Sequence, residues 1–284
     1  MIATSRIVIK QYLHQSQNIA MYNMTECDFP VDIDWQYWVQ RWDRMQERYL
    51  MKRPERFAII VQTIGSMRKT VGPVLDLGCG TGSLMLKILE NFPESSVTGI
   101  DFDPTLLPLA RQRLESFGER AKLVLADLRE DSWIELLPRS MDAVVSATAL
   151  HWFKPQELAN LYHKIAEVLR PDGIFLNADH VGNDNPGIQK VWQENREKMR
   201  AEQANGQADS WDSFWEDYTK ALGTDAREIN QRVISRWDGG FEEGMPLYWH
   251  FEKLRESGFH NVDCFWRCDC DAIYGGILKE TKMV

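Results

Sequence analysis

The stretch Val74-Leu75-Asp76-Leu77-Gly78-Cys79-Gly80-Thr81-Gly82-Ser83 decides the fold. Its first four residues are typical of a buried strand, and an amphipathic segment from Ser83 to Asn91 predicts a helix after it. The alternating glycines between them leave a turn without side chains, so a ligand can approach the backbone closely. The stretch therefore predicts a strand, loop and helix that bind a nucleotide-like ligand.

Composition narrows the class of protein. The chain has 284 residues, of which 44% are hydrophobic and 26% charged, as in soluble globular proteins. No apolar run reaches the roughly 20 residues of a membrane span, and no secretion signal is present, so we expect a cytoplasmic protein with free thiols. The net charge of −9 disfavours nucleic acid as a partner. Cys264, Cys268 and Cys270 are spread too widely along a strand to bind one ion, so no metal site is predicted.

Short apolar runs alternate with amphipathic stretches after Pro73. We predict five strands, at Val74–Leu77, Val97–Ile100, Lys122–Leu125, Ala143–Ser146 and Ile174–Ala178, and helices at 83–91, 105–117, 133–137 and 155–169. A helix at 246–256 and strands at 262–267 and 272–279 follow. Strands joined by helices imply an α/β fold, a doubly wound and mostly parallel sheet with helices on both faces.

Residues 1–72 are predicted to form an N-terminal helical lid. A short helix is expected around Val8–Met21, and a longer one carries an aromatic stripe that includes Trp38 and Trp42 at helical spacing. Arg41, Arg44 and Arg48 form a second row on that helix. Either the stripe packs on the main domain with the arginines in solvent, or the helix covers the ligand and one arginine binds an anionic group. A further helix is predicted over 55–67.

Residues 181–246 interrupt the alternation with a polar stretch that carries regularly spaced aromatic residues. We interpret it as a helical cap insertion, bounded by turn sequences at 182–187 and 238–240. The predicted core domain is therefore made of residues 73–180 and 247–284.

Several motifs resemble, in order, those of the class I S-adenosylmethionine-dependent methyltransferases. The first is the glycine loop at 74–82. It is followed by Val97-Thr98-Gly99-Ile100-Asp101-Phe102-Asp103-Pro104, by Ala126-Asp127-Leu128, by Met141-Asp142-Ala143-Val144-Val145-Ser146, and by Leu169-Arg170-Pro171-Asp172-Gly173-Ile174-Phe175-Leu176. The resemblance implies a Rossmann-like methyltransferase fold of seven strands, with S-adenosyl-L-methionine as the cofactor.

The resemblance also implies which residues bind that cofactor. Asp101, 19 residues after Gly82, would accept hydrogen bonds from the ribose hydroxyls, and Phe102 would pack on adenine. Asp127, followed by Leu128, would lie at the adenine edge. Asp76 would bind the cofactor's ammonium group, and the methionine part would face Ser146 and the loop amides of Gly78, Gly80 and Gly82.

Two histidines are the candidate catalytic residues. His151 follows the fourth strand, where this family places residues that face the substrate, and His180 follows the fifth strand. Either could act as a base or an orienting donor, or be an ordinary hydrogen-bonded loop histidine. Trp152, which follows His151, would contact the substrate together with Trp38 and Trp42 of the lid.

We therefore expect an enzyme that methylates a small, aromatic or apolar molecule on an oxygen atom, of a carboxylate or a hydroxyl, or on a nitrogen atom. Three alternatives stay open: a non-catalytic cofactor-binding protein, an RNA or protein methyltransferase, and a dehydrogenase that uses a dinucleotide. The identity of the acceptor, the choice between O- and N-methylation and the oligomeric state do not follow from the sequence.

Overall fold

A computed structural model describes residues 20–21, 30, 32–137, 140–203, 209–223 and 243–279. The predicted turn at 238–240 and most of the predicted helix at 8–21 lie outside these ranges. Within them the chain forms one sheet with helices on both faces, and two further helices lie over one side.

The sheet has eight strands: β1 (Ala20–Met21), β2 (Val74–Leu77), β3 (Val97–Asp101), β4 (Ala121–Leu125), β5 (Met141–Ala147), β6 (Leu169–His180), β7 (Phe259–Cys268) and β8 (Asp271–Leu278). Their order across the sheet is β1-β4-β3-β2-β5-β6-β8-β7. Strands β2 to β6 are parallel, while β8 is antiparallel to both β6 and β7. The predicted doubly wound sheet is confirmed, and all seven predicted strands are present.

The short strand β1 is an addition to that prediction. It pairs antiparallel with the edge strand β4. The expected helix at 8–21 is therefore wrong at its last two residues, because pairing with an open sheet edge satisfies their backbone groups.

The helices are α1 (Trp35–Tyr49), α2 (Arg53–Met67), α3 (Ser83–Asn91), α4 (Leu107–Leu114), α5 (Pro155–Val168), α6 (Pro186–Gln203), α7 (Trp211–Leu222) and α8 (Leu247–Glu256). Two predicted helices are only partly confirmed. The one at 105–117 ends early and continues as a 3-10 segment, Glu115–Arg120, in which Gly118 has a φ of +52°. The one at 133–137 is a short 3-10 segment, Ser132–Leu136.

The core lies on both faces of the sheet, because successive strand residues point to opposite sides. Val144 packs in a cluster with Tyr162 of α5 and Leu254 of α8. Its neighbour Val145 packs on the other face in a cluster with Ile64 of α2 and Ile88 of α3. Both helix layers are thus held by one strand at the centre of the sheet.

The aromatic stripe of α1 packs against the cap helix α7. Trp38 and Trp42 are buried in a cluster with Phe214 and Tyr218 of α7. The predicted solvated arginine row is wrong for Arg41, which is buried and ion-paired with two carboxylates. Those carboxylates, Asp209 and Asp217, belong to the cap. Helices α1 and α7 are therefore joined by both aromatic and ionic contacts.

Candidate active site

The glycine loop after β2 needs glycine for two separate reasons. Gly78, Gly80 and Gly82 have φ values of +67°, +51° and +73°, which side-chain-bearing residues rarely adopt. A Cβ on Gly78 would also lie 2.4 Å from the Cβ of Ala149, whereas one on Gly80 would meet nothing closer than 3.9 Å. Gly78 thus allows the loop to pack on the segment after β5, and Gly80 leaves its own surface open.

The amide N–H groups of the loop donate hydrogen bonds to acceptors within the protein. The N–H groups of Gly78 and Cys79 donate to the carbonyl of Ile100, and that of Gly82 donates to the carbonyl of Cys79. The Gly80 amide donates to Asp101 Oδ2 over 2.7 Å. These hydrogen bonds hold the turn in shape, and the expectation that the amides of Gly78, Gly80 and Gly82 face a ligand stays a prediction.

Two carboxylates lie at this end of the sheet. Asp101 closes β3, and its second oxygen accepts the amide of Asp103 at 2.9 Å. Burial, with the nearby Asp103, raises the pKa of Asp101 to about 7. Asp76 is buried, and its Oδ2 has no hydrogen-bond partner. Burial and the neighbouring Asp101 raise the pKa of Asp76 well above the usual range. A nearby cationic ligand group would stabilise the ionised form of both carboxyls and lower their pKa values.

The remaining predicted cofactor residues differ in how accessible they are. Phe102 is half-buried at the end of β3. Asp127 is paired with Arg129, whose Nη2 lies 2.7 Å from Oδ2. Leu128 is buried in the core. Ser146 is fully buried, and its hydroxyl donates to the carbonyl of Leu77, so its side chain ties β5 to β2.

His151 lies beside the carboxyl end of β6. Parallel pairing of β5 and β6 places Ala147 opposite Ala178, so the segment after β5 passes next to Asp179. His151 Nδ1 is 2.7 Å from Asp179 Oδ1. The described residues form no hydrogen bond with His151 Nε2. The pairing of β5 with β6 thus produces an aspartate and histidine dyad.

The carboxylate of Asp179 is surrounded by donors. Besides His151 Nδ1, Oδ1 accepts the amide of His180 at 2.9 Å. Oδ2 accepts the amides of Leu150 at 2.9 Å and His151 at 3.1 Å, and the Asn177 side chain at 3.4 Å. Burial alone raises the pKa of Asp179, but the imidazoles of His151 and His180 outweigh burial and hold it below its usual range. Asp179 is therefore ionised and fixes the ring of His151.

His180 forms a second dyad with Asp271, its register partner on β8. Their Nδ1 and Oδ1 atoms are 2.7 Å apart. Arg56 of α2 lies 3.6 Å from Asp271 and donates to the carbonyl of Ala178 over 2.6 Å. Burial lowers the pKa of His180, although its hydrogen bond to Asp271 opposes that shift. The imidazole is therefore neutral at neutral pH.

The two dyads meet. The ring centroids of His151 and His180 are 4.8 Å apart, and Trp152 lies 4.7 Å from His151 on another side. Of the predicted substrate-contacting residues, Trp152 thus adjoins the histidines. The ring contacts of Trp38 and Trp42 are with α7 and their own helix, so they line the joint between lid and cap.

A buried polar chain continues behind Asp179. Asn177 donates to the hydroxyl of Tyr274 over 2.8 Å. That hydroxyl lies 3.2 Å from Tyr162 Oη, which in turn lies 2.7 Å from His250 Nδ1. An amide nitrogen can only donate, so Asn177 Nδ2 donates both to Tyr274 and, over 3.4 Å, to Asp179 Oδ2. These contacts therefore hold the Asn177 side chain in place as a donor to Asp179.

Sequence reasoning missed three residues of this site: Asp179, Asp271 and Arg56. Asp179 had a local signal, because it directly follows a predicted strand and precedes His180. Asp271 and Arg56 had none, since only the β6 and β8 pairing and the packing of α2 bring them to the histidines. Among the described residues, no group of three metal-ligating side chains occurs and no helix is long and apolar enough to cross a membrane.

Comparison with known proteins gives a consistent result. Residues 74–173 match the family described as Methyltransferase domain. Carboxy-S-adenosyl-L-methionine synthase of Campylobacter lari is 25% identical over 161 residues, which are 57% of this chain and 67% of that protein. Malonyl-[acyl-carrier protein] O-methyltransferase of Acetivibrio thermocellus is 30% identical over 102 residues, 36% of this chain. The match spans only 33% of that second relative.

Solved structures agree on the fold. An O-methyltransferase family protein from Burkholderia thailandensis superposes with a TM-score of 0.52 and 15% identity, over 88% of this chain and 71% of its own. At that identity the likeness concerns the architecture only.

Proposed function

Since the chain contains a class I S-adenosylmethionine-dependent methyltransferase domain, with S-adenosyl-L-methionine as its cofactor, we propose that it methylates an oxygen or nitrogen atom of a small molecule, with His151 as general base. The observation that carries the proposal is the dyad. Asp179 holds His151 at 2.7 Å through Nδ1, and no described residue hydrogen-bonds to Nε2.

The cofactor residues fit this proposal. Asp76 Oδ2 is a buried carboxylate oxygen without a partner, which suits the ammonium of the methionine part. Asp101 would hold the ribose hydroxyls, and the open surface of Gly80 leaves room beside the loop. When bound, S-adenosyl-L-methionine supplies an electrophilic methyl group that leaves a neutral thioether, so the leaving group needs no acid.

The role of His151 follows from its hydrogen bonds. Because Asp179 is ionised, the proton of the neutral His151 ring resides on Nδ1, and Nε2 carries the lone pair. Nε2 can then take the proton of a hydroxyl or ammonium as the nucleophile forms, and the carboxylate stabilises the resulting imidazolium. General-base catalysis of this kind contributes roughly 10²- to 10⁴-fold. A carboxylate acceptor is already an anion and would need no base.

Several observations support a small acceptor. The histidines are buried, at 6% exposure each, and the joined helices α1 and α7 lie over the cofactor side of the sheet. The net charge of −9 disfavours an RNA substrate. The predicted cytoplasmic location stays a prediction.

The test is transfer of a deuterated methyl group from labelled S-adenosyl-L-methionine into separate low-molecular-mass, RNA and protein fractions of a cell extract, followed by mass spectrometry. We expect label in the low-mass fraction only. His151→Ala should abolish transfer while keeping S-adenosylhomocysteine binding, and His163→Ala, on an exposed histidine of α5, should change neither. Label in RNA or protein, or cofactor binding without any transfer, would refute the proposal.

A further inference from the structure

Arg196 on the cap helix α6 is a buried arginine that lacks a hydrogen-bond acceptor. Its exposure is 8%, and its Nη1 atom is buried with no hydrogen-bond partner. It forms no ion pair or hydrogen bond within the part of the chain that the structure describes. We infer that Arg196 binds a carboxylate of the acceptor molecule, so that the substrate is a small carboxylic acid. This inference rests on the proposed function, whose site it extends.

The other buried arginines each have at least one acceptor, although Nη1 of Arg56 is also without a hydrogen-bond partner. Arg41 is also 8% exposed, and it binds Asp209 and Asp217. Arg56 is 2% exposed and donates to the carbonyl of Ala178. A buried donor without an acceptor costs about 1–3 kcal/mol in general, so proteins rarely keep one without a use. Among the described residues, Arg196 is the buried arginine that forms no hydrogen bond or ion pair.

Its position links it to the histidines. Asn195, the preceding residue, donates to Asp269 Oδ2 over 3.0 Å, and Arg267 stacks on Trp192 one turn earlier. Helix α6 is thus fixed on the turn between β7 and β8. That turn leads directly into Asp271, the partner of His180, and the charge of Arg196 acts on Asp271. Arg196 therefore lies on the acceptor side of the sheet, beyond β6, and not beside the glycine loop.

The chemistry of Arg196 favours a carboxylate. The guanidinium is planar, always charged and donates through a rigid fork that matches two carboxylate oxygens. Asp271 forms no hydrogen bond or ion pair with Arg196, and its Oδ1 accepts from His180 and lies 3.6 Å from Arg56. An incoming carboxylate would supply the missing acceptor and place the rest of the molecule between Arg196 and His151. Methylation of the carboxylate itself or of a separate hydroxyl or amine is compatible with this arrangement.

The binding test uses the S-adenosylhomocysteine complex and titrates benzoate, with benzamide as a neutral probe of the same shape and chloride at equal ionic strength. Wild type should bind benzoate at least about tenfold more tightly than benzamide, in line with one charged hydrogen bond. Arg196→Met should lose that preference. Lys198→Met removes an exposed charge from the same helix and should keep it.

Thermal unfolding separates a binding role from a structural one. Replacing a purely structural arginine would lower the melting temperature, whereas replacing a buried donor that lacks an acceptor by an apolar side chain should leave the melting temperature equal or higher. Arg196→Met should also leave S-adenosylhomocysteine affinity unchanged. A tenfold loss of that affinity would assign Arg196 to the cofactor instead and overturn the inference.

The outcomes distinguish this inference from the proposed function. Absence of a benzoate preference in wild type, or its survival in Arg196→Met, overturns the carboxylate site even if label transfer occurs. Benzoate binding that depends on Arg196, in a protein that transfers no label, overturns the methyltransferase proposal and keeps the carboxylate site. In the labelling assay, Arg196→Met should raise the KM for the acceptor at least about tenfold, with a smaller change in kcat.

Discussion

Replacement of Asp179 by asparagine tests the candidate dyad most directly. Five donors converge on this carboxylate, from Leu150 N, His151 N and Nδ1, His180 N and Asn177 Nδ2. Asparagine offers one oxygen and one NH₂ group, so the NH₂ group must face donors in either orientation. With NH₂ in the place of Oδ1, His151 can respond by moving its proton to Nε2, so that only the amide of His180 stays unpaired.

The magnitudes follow from that cheapest arrangement. One buried unsatisfied donor costs about 1–3 kcal/mol of unfolding free energy. The proton on Nε2 removes the base, so kcat should fall roughly 10²- to 10⁴-fold. The native pKa of Asp179 lies below its unfolded value. Its stabilising contribution is therefore complete above about pH 4 and declines as pH falls through the native pKa.

The assays are urea unfolding and steady-state methyl transfer at several pH values, with Asp172→Asn as the control. Asp172 is exposed and has a φ of +58°, which asparagine adopts readily. The control should match wild type in both assays. Full activity in Asp179→Asn at neutral pH would refute the assigned role of the dyad. An unchanged difference in stability between Asp179→Asn and wild type below pH 4 would refute the ionised state of the carboxylate.

Three other changes probe the loop, the lid and Asp101. Gly78→Ala should lower the unfolding free energy by about 2–5 kcal/mol, since its Cβ meets Ala149 at 2.4 Å and φ is +67°. The control Gly118→Ala places its Cβ in open space and should lower the unfolding free energy by about 1 kcal/mol in the same urea assay. Arg41→Met should cost about 1–3 kcal/mol and expose the cap to limited proteolysis, whereas Lys87→Met breaks an exposed pair and should cost under about 0.5 kcal/mol; equal losses would contradict the lid contact. Asp101 has a raised pKa of about 7, so its native state holds a proton that the unfolded chain releases near pH 4. The unfolding free energy should therefore fall as pH rises between these two values. Asp101→Asn should flatten that slope in pH-dependent urea titrations, and an unaltered slope would contradict the raised pKa.

Much of the sheet could be predicted from the sequence because its signals are local. The apolar runs of β2 and β3 end in glycine or aspartate, and each is followed by an amphipathic helix. The positions of His151 and His180 after strands were also predicted, and their adjacency follows once those strands pair, since parallel neighbours bring their carboxyl ends to one edge.

The rest depended on contacts between distant segments. Nothing near Arg56 in the sequence indicates Asp271, which reaches it only because β8 inserts antiparallel beside β6. The solvated arginine row failed at Arg41 because its acceptors come from the cap. The acceptors of the Gly78 and Gly80 amides, Ile100 and Asp101, could not be predicted either, because no pattern of residue types distinguishes an amide that holds a turn from one that binds a ligand.

The position of Arg56 has a consequence for protein engineering. Residues 74–173 match the methyltransferase domain and include His151, but Asp179, His180, Asp271 and Arg56 all lie outside that segment. A graft of residues 74–173 into another scaffold would transfer the predicted cofactor-binding residues together with His151, but without the residues that surround this histidine. Recombination that keeps residues 74–173 and exchanges the flanking segments should therefore alter the acceptor chemistry while preserving the methyl donor.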